Sequence, residues 1–353
     1  MKKLKKLKTA ILGATGMAGQ QFIEALENHP WFEIEALYAS ERSANQKYRE
    51  RVTNWLTMNP PSEEIWEKMI GLVDKVNYEE VDVIFSALPS EVARANEENY
   101  AQYKPVISTA SAFRYEPDVP ILIPEINKEH SDLINIQRER RGWNGFVVPG
   151  PNCTTVGLVM SLKPIYEAFG LEWAIMVSMQ AVSGAGYPGV PSYDIMGNVI
   201  PFIKSEEGKV KKETLKILGK LEDNKIVNAP FKVDCKCNRV PSIDGHMESV
   251  FIKTRDACEV DDIKAALRDW PGLDPKDYPT AIKTPIILTD DPARPQPRLD
   301  AERYGGMAAI VGGIEKTEFG GFKYSVLSHN TKRGAARGEV LVAEYLYKQG
   351  YFK

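Results

Sequence analysis

An apolar strand, a glycine-spaced turn and an apolar-faced helix open the chain, and this triplet limits the fold more than any other feature. Lys8-Thr9-Ala10-Ile11-Leu12 reads as a buried parallel strand, and Gly13, Gly16 and Gly19 follow at once. Phe22, Ile23 and Leu26 recur at helical spacing, which predicts a helix from Gly16 to about Asn28. A strand that enters a helix through glycines forms the βα turn of a doubly wound sheet. The pyrophosphate of a dinucleotide rests on such a helix start. The spacing is G-x-x-G-x-x-G rather than G-x-G-x-x-G, but the strand and helix on either side supply the context the motif needs. Gly13, Thr15, Gly16 and Met17 are therefore expected to contact a cofactor.

The alternation continues. Phe32–Tyr38, Val81–Leu88 and Pro105–Ser108 read as strands, and Glu91 to Tyr103 as a helix. Repeated βαβ units mean a parallel sheet. From about Trp173 long alternating stretches take over: Trp173–Gln180, Arg239–Ile243 and Glu248–Lys253. These predict a mixed or antiparallel sheet. A chain of 353 residues exceeds one ordinary core. The expected fold class is α/β, with a Rossmann-type nucleotide domain and an α+β catalytic and dimerisation domain. The first domain is expected over 1–155 and 331–353, with the last helix (about Arg333 to Gln349) packing back on it, and the second over 156–330. Asp290 to Pro297, rich in Pro and Asp, reads as a surface loop.

Ala39-Ser40-Glu41-Arg42-Ser43 follows the second strand, where the adenosine ribose of a bound dinucleotide falls. Ser40, Arg42 and Ser43 offer donors suited to a 2′-phosphate, which favours NADP. Glu41 leaves NAD possible, since a carboxylate there can take the 2′-hydroxyl.

Cys153 stands in Pro151-Asn152-Cys153-Thr154-Thr155, and the run that follows, Val156 to Lys163, reads as a helix. A thiol in the first turn of a helix faces unpaired N–H groups and the positive end of the dipole, which favours the thiolate nucleophile. A nucleophilic sulfur with a nicotinamide site implies aldehyde-level redox chemistry through a thioester. Such chemistry also calls for a proton carrier, and the chain has four histidines: His29, His130, His246 and His329. His29 follows a helix end, His130 reads as part of a polar loop, and His246 lies behind Gly245 in a strand-rich stretch that carries Arg239. His246 is the candidate acid/base.

Other classes receive no support. A net charge of −3 gives no electrostatic footprint for nucleic acid or a membrane surface, and no apolar run reaches 18 residues. Cys235-Lys236-Cys237 alternates as a strand would, which suggests packing, and no cysteine spacing matches a metal site. Few, scattered cysteines fit a reducing cytoplasm. The basic run Met1 to Lys8 lacks an apolar core behind it, so it is expected to be a solvated lead-in to the first strand.

Eight segments in order resemble the aspartate-semialdehyde dehydrogenase family, in its archaeal and fungal branch. They are Gly13–Gly16, Ala39–Ser43, Ser111–Arg114, Pro151–Thr155, Gln180–Gly186, Glu206–Lys209, Arg239–His246 and Asn330–Ala336. The resemblance implies a reversible, NADP-dependent reductive dephosphorylation of aspartyl 4-phosphate, in the biosynthesis of Lys, Thr, Met and Ile. It makes Cys153 the acylated nucleophile, Gln180 an orienting group and His246 the acid/base. Arg239 would bind the substrate carboxylate, Glu206 or, in another register, Glu207 the amine, and Lys209, Arg114 and Asn152 the phosphate. Ser183, Gly184 and Asn330 would touch the cofactor. A homodimer or homotetramer is implied. The chain departs from the family at Asn45-Gln46, where a small Gly often follows the Arg-Ser pair. Malonyl-CoA reductases of the same fold remain the nearest rival reading. Acetylglutamyl-phosphate reductase and glyceraldehyde-phosphate dehydrogenase carry different cysteine contexts, and a non-catalytic nucleotide-binding regulator is more remote.

Overall fold

The computed structural model describes residues 6–352, so most of the basic lead-in lies outside the described residues. Six parallel strands form the first sheet: β1 (Leu7–Leu12), β2 (Phe32–Ala39), β3 (Ile70–Leu72), β4 (Val83–Ser86), β5 (Pro105–Ser108) and β6 (Phe146–Pro149). Their order is β3-β2-β1-β4-β5-β6. The order reverses between β1 and β4, and ligands of doubly wound sheets bind at that crevice, beyond the carboxyl ends of the strands.

The glycine turn stands at this point. Gly13 has φ +73, a left-handed conformation that side chains resist, and a Cβ there would lie 2.7 Å from the Ala87 carbonyl oxygen. Gly19 lets the helix Met17–Leu26 close on the turn, since a Cβ would fall 2.2 Å from the Gly13 oxygen. That helix begins at Gly16 with no side-chain cap and no acidic residue in its first turn. Its leading donors are left for an anion.

The second sheet is mixed. Its strands are β7 (Leu171–Gln180), β10 (Lys232–Arg239), β11 (His246–Thr254), β12 (Ile286–Thr289), β13 (Ala309–Lys316) and β14 (Phe322–Ser328). The order is β10-β7-β11-β14-β13-β12, while β8 (Lys220–Glu222) and β9 (Lys225–Val227) form a separate hairpin. The helices Cys153–Phe169 and Val260–Arg268 pack on one face through Leu158, Leu162, Ile263 and Leu267 against Met176, Val250 and Val326. The opposite face leaves Ile175 and Phe251 exposed, directly paired across β7 and β11. The final helix, Ala336–Lys348, joins Met17–Leu26 in the core of the first sheet through Val340, Leu341 and Leu346.

Two local readings need correction. The alternating stretch Arg239–Ile243 stops being a strand at Arg239, because Pro241 has no N–H for a ladder. The carbonyls of Ser242 and Ile243 instead accept the N–H groups of Val182 and Ser183, which fixes a loop beside Gln180. His130 is not in a polar loop: it is fully buried, and its ring bonds Asn127 and the Gly219 carbonyl. Cys235 and Cys237 are both buried in the second core. Among the described residues no helix is long and apolar enough to cross a membrane.

Candidate active site

Cys153 begins its helix because Asn152 caps it. The Asn152 side-chain oxygen accepts the N–H groups of Thr154 and Thr155 at 3.0 and 3.2 Å, a cap worth about 1 kcal/mol. Two of the donors expected to face the sulfur are therefore shared with the cap. Asn152 is itself held twice from the helix Glu206–Ile217: its amide nitrogen donates to Glu206 at 2.9 Å, and its backbone N–H to Glu213 at 2.6 Å.

The surroundings of the sulfur disfavour the thiolate that a helix start alone would favour. Burial pushes the Cys153 thiol up to about 12, and the Glu206 carboxylate adds to the rise. Arg114, Arg239 and the Thr154 N–H pull the other way, and the balance still favours the neutral thiol. A helix start offers an anion only about 0.3–1 kcal/mol, less than one pKa unit at about 1.4 kcal/mol each.

The sulfur lies 3.3 Å from Nε2 of His246, the first residue of β11. On the other side of the ring, Nδ1 accepts the backbone N–H of Ala181 at 3.1 Å. The Ala181 carbonyl in turn accepts Nη1 of Arg239 at 2.7 Å. The backbone of Ala181, the residue after Gln180, thus ties the end of β10 to the start of β11 through two successive peptide units. His246 is fully buried, and burial with the nearby Arg239 charge holds its pKa down at about 3. Gly184 lies against both side chains: a Cβ there would meet Arg239 and His246 within about 3.0 Å.

A cleft of about 480 Å³ brings most of the expected residues together. Cys153, Gln180, Arg239, Glu206, Lys209, Arg114 and Asn152 line it, with Ser183, Gly184 and Asn330. Met17 and Ala18, from the start of the first helix, line the same cleft, so the sulfur and the glycine turn share one crevice. Arg239 is nearly buried, and the only hydrogen bond of its side chain among the described residues is the one to the Ala181 carbonyl. Its other donors are left for a ligand.

Several expected residues sit differently. Glu207 is not among the residues lining the cleft: it accepts the Cys237 N–H at 3.3 Å and pairs with Lys236. Arg114 reaches the cleft with both terminal nitrogens engaged: Nη1 on Glu213 at 3.0 Å, Nη2 on the carbonyls of Thr109 and Pro151. It braces the turn before Cys153. Asn330 is engaged at both ends of its amide, accepting the Gly245 N–H and donating to Ser183, both at 2.8 Å. Ser40 and Arg42 line a separate hollow with Leu72, Val73, Asp74 and Asn96. Ser43 is buried and accepts from Arg51 at 2.9 Å. Asn45, where the family often has Gly, has φ +62, which Asn tolerates better than most residues.

Sequence reasoning missed Glu213. It is fully buried, holding Asn152 and Arg114 together. A signal existed: Glu206, Val210, Glu213 and Ile217 occupy one face of a helix, and all four are buried. Two carboxylates on the inward stripe of a charged helix are the exception that marks a site.

Comparison with known proteins agrees with this architecture. Residues 8–134 match the model "Semialdehyde dehydrogenase, NAD binding domain", and residues 162–333 match "Semialdehyde dehydrogenase, dimerisation domain". The aspartate-semialdehyde dehydrogenase of Archaeoglobus fulgidus is 48% identical over 96% of this chain and 97% of its own. The crystal structure of that enzyme with NADP from Candida albicans superposes with a TM-score of 0.90 at 38% identity, covering 98% of this chain and 100% of that one. A malonyl CoA reductase (NADP) from Metallosphaera sedula is 36% identical over 98% of each chain. With the fold, the cysteine cleft and near full-length likeness in agreement, the chain belongs to the aspartate-semialdehyde dehydrogenase family of oxidoreductases.

Proposed function

We propose that this chain reduces aspartyl 4-phosphate to aspartate semialdehyde with NADPH, reversibly, through a thioester on Cys153, in amino-acid biosynthesis in the cytoplasm. One observation carries the reading. The Cys153 sulfur, 3.3 Å from His246, opens into a cleft lined by Arg239, Lys209 and Glu206 and by the start of the glycine-turn helix. Two cations and a carboxylate suit a substrate with a carboxylate, a phosphate and an amine. Arg239 takes the carboxylate in a bidentate contact. Glu206 receives the amine, and Lys209 the phosphate, on the turn that Arg114 and Asn152 brace. Gln180 orients the acyl carbonyl.

The residues present fit a nicotinamide dinucleotide: the uncapped helix start after Gly16 suits its pyrophosphate, with Gly13 and Thr15 in the same turn. When bound, NADPH supplies the hydride. Ser40 and Arg42 stand where a 2′-phosphate falls, while Ser43 reaches it only in company with Arg51. The division into 1–155 with 331–353, and 156–330, follows from the same reading. A second copy covers the exposed Ile175–Phe251 face, giving a dimer or a tetramer.

The test is NADPH oxidation by the purified enzyme with aspartyl phosphate and, separately, with malonyl-CoA. The expected kcat/KM for aspartyl phosphate is about a hundredfold or more higher, because Glu206 and Lys209 would be left without partners by the thioester. Preference for malonyl-CoA would overturn the proposal in favour of the rival reductase. A lower KM for NADPH than for NADH is expected in the same assay.

A further inference from the structure

We infer that Lys204 is a second cation for the phosphate of the substrate, and that with Lys209 it completes a site for a dianion in the cleft. The inference rests on the acyl-phosphate reading above and adds a residue to it.

Residues 204–216 carry five lysines, and their partners divide them. Lys211 pairs with Asp234 at 3.2 Å. Lys212 lies over the Tyr115 ring, 5.6 Å from its centre. Lys216 donates to the carbonyls of Arg114, Glu116 and Val119 at 2.7, 2.9 and 2.8 Å. The side-chain amines of Lys204 and Lys209 have no hydrogen-bond or ion-pair partner among the described residues, and these are the two that line the cleft. An ammonium group has three donors and no acceptor, so both are left for water or for an anion that enters.

The backbone sets Lys204 beside the other binding groups. The Glu206 N–H returns to the Ile203 carbonyl at 3.2 Å, which makes Lys204 and Ser205 the two middle residues of a tight turn. Ser205 has φ +62, a left-handed conformation that few residues other than glycine adopt. Lys204 therefore stands directly before the helix Glu206–Ile217, whose first turn brings Glu206 and Lys209 to the same cleft.

Charge selects the occupant. The charged side chains lining the cleft are Arg114, Arg239, Lys204, Lys209 and Glu206. Arg114 is matched by Glu213 at 3.0 Å. The other three cations, set against Glu206, leave an excess of two positive charges. Aspartyl phosphate carries a carboxylate, an ammonium group and a phosphate with close to two negative charges at neutral pH. Its excess is about two negative charges, equal and opposite. Without Lys204 the cleft falls one charge short. The shortfall lies at the phosphate, because Arg239 answers the carboxylate and Glu206 the amine. Lys204 is exposed, so its pull on the phosphate is screened by salt.

The test compares Lys204→Ala, Lys204→Glu and Lys204→Arg with the wild-type enzyme. In the reverse direction, with aspartate semialdehyde, NADP⁺ and varied inorganic phosphate at low salt, Lys204→Ala should raise KM for phosphate about tenfold, the scale of one charge-assisted hydrogen bond. Lys204→Glu should raise it about a hundredfold, and Lys204→Arg should stay within about threefold. KM for NADP⁺ should move by less than about twofold. In 0.5 M KCl the gap between wild type and Lys204→Ala should shrink to about threefold, which a loss of local structure would not produce. A KM for phosphate unchanged in both Ala and Glu, a gap that ignores salt, or a rise confined to KM for NADP⁺ would overturn the inference. A second readout needs no turnover. With the enzyme saturated with NADP⁺, a ³¹P NMR titration of inorganic phosphate should give a Kd about tenfold weaker in Lys204→Ala, and equal values would also overturn it. An enzyme that holds phosphate through Lys204 but turns over only malonyl-CoA would fault the acyl-phosphate reading and not the site.

Discussion

Cys153→Ser is expected to lower NADPH-dependent turnover of aspartyl phosphate by at least about four orders of magnitude, the scale of losing a covalent nucleophile. The hydroxyl is smaller and far less acidic than the thiol it replaces. Folding should be unaffected, because the helix is capped by Asn152 and not by residue 153. Equal circular dichroism and unfolding midpoints for the two proteins, with initial rates measured alongside, make the check. Turnover retained within tenfold would mean that the acyl group is never held on this sulfur.

The second large effect belongs to the carboxylate anchor. Arg239→Leu should raise KM for aspartyl phosphate strongly and lower kcat/KM by about 10²–10⁴, since a bidentate pair with a substrate carboxylate lost in a nearly buried site is worth about 3–5 kcal/mol. The same change removes the hydrogen bond that steadies the Ala181 carbonyl, so kcat should fall as well. Arg239→Lys should recover only part of the loss, because a point charge cannot hold both oxygens in the plane. Steady-state kinetics for the three proteins, with malonate as a competing ligand, separate binding from positioning. An unchanged KM in Arg239→Leu would place the substrate carboxylate elsewhere.

Much of this architecture is legible in the sequence, for physical reasons. Buried parallel strands such as Leu7–Leu12 and Pro105–Ser108 are short, apolar and flanked by breakers. The glycine turn is dictated by sterics at Gly13 and Gly19, and sterics leave a residue-level mark. The Asn before Cys153 is legible too, as an N-cap. Its consequence was not: by satisfying the first-turn donors, the cap removes much of the pull that the helix start exerts on the sulfur. Whether a cysteine is charged depends on how deeply it is covered and on Glu206, 53 residues away in sequence, and neither is local information.

The same division runs through the rest of the site. The segments carrying Gln180, Arg239 and His246 stand out as motifs, yet Arg239 and His246 are joined through the backbone N–H and carbonyl of Ala181, which no residue type advertises. Arg114 is a phosphate ligand by resemblance, and its pairing with Glu213, 99 residues on, is not legible locally. Asn330, a cofactor contact by resemblance, lines the cleft and also joins Gly245 to Ser183 as a strut between two loops, which no local signal shows. His130 looked polar from its neighbours and is buried by a contact to Gly219, 89 residues on. Pairings over such distances are set by the fold and not by the neighbouring residues.

The central claim, that Cys153 carries the acyl group, is tested most directly by mixing the enzyme with aspartyl phosphate in the absence of any nicotinamide and recording intact-protein and peptide mass spectra. The account predicts release of phosphate and a mass gain of one aspartyl group on the Cys153 peptide, lost on adding NADPH and missing in Cys153→Ser. Phosphate release without an adduct, or an adduct on any other residue, would contradict it.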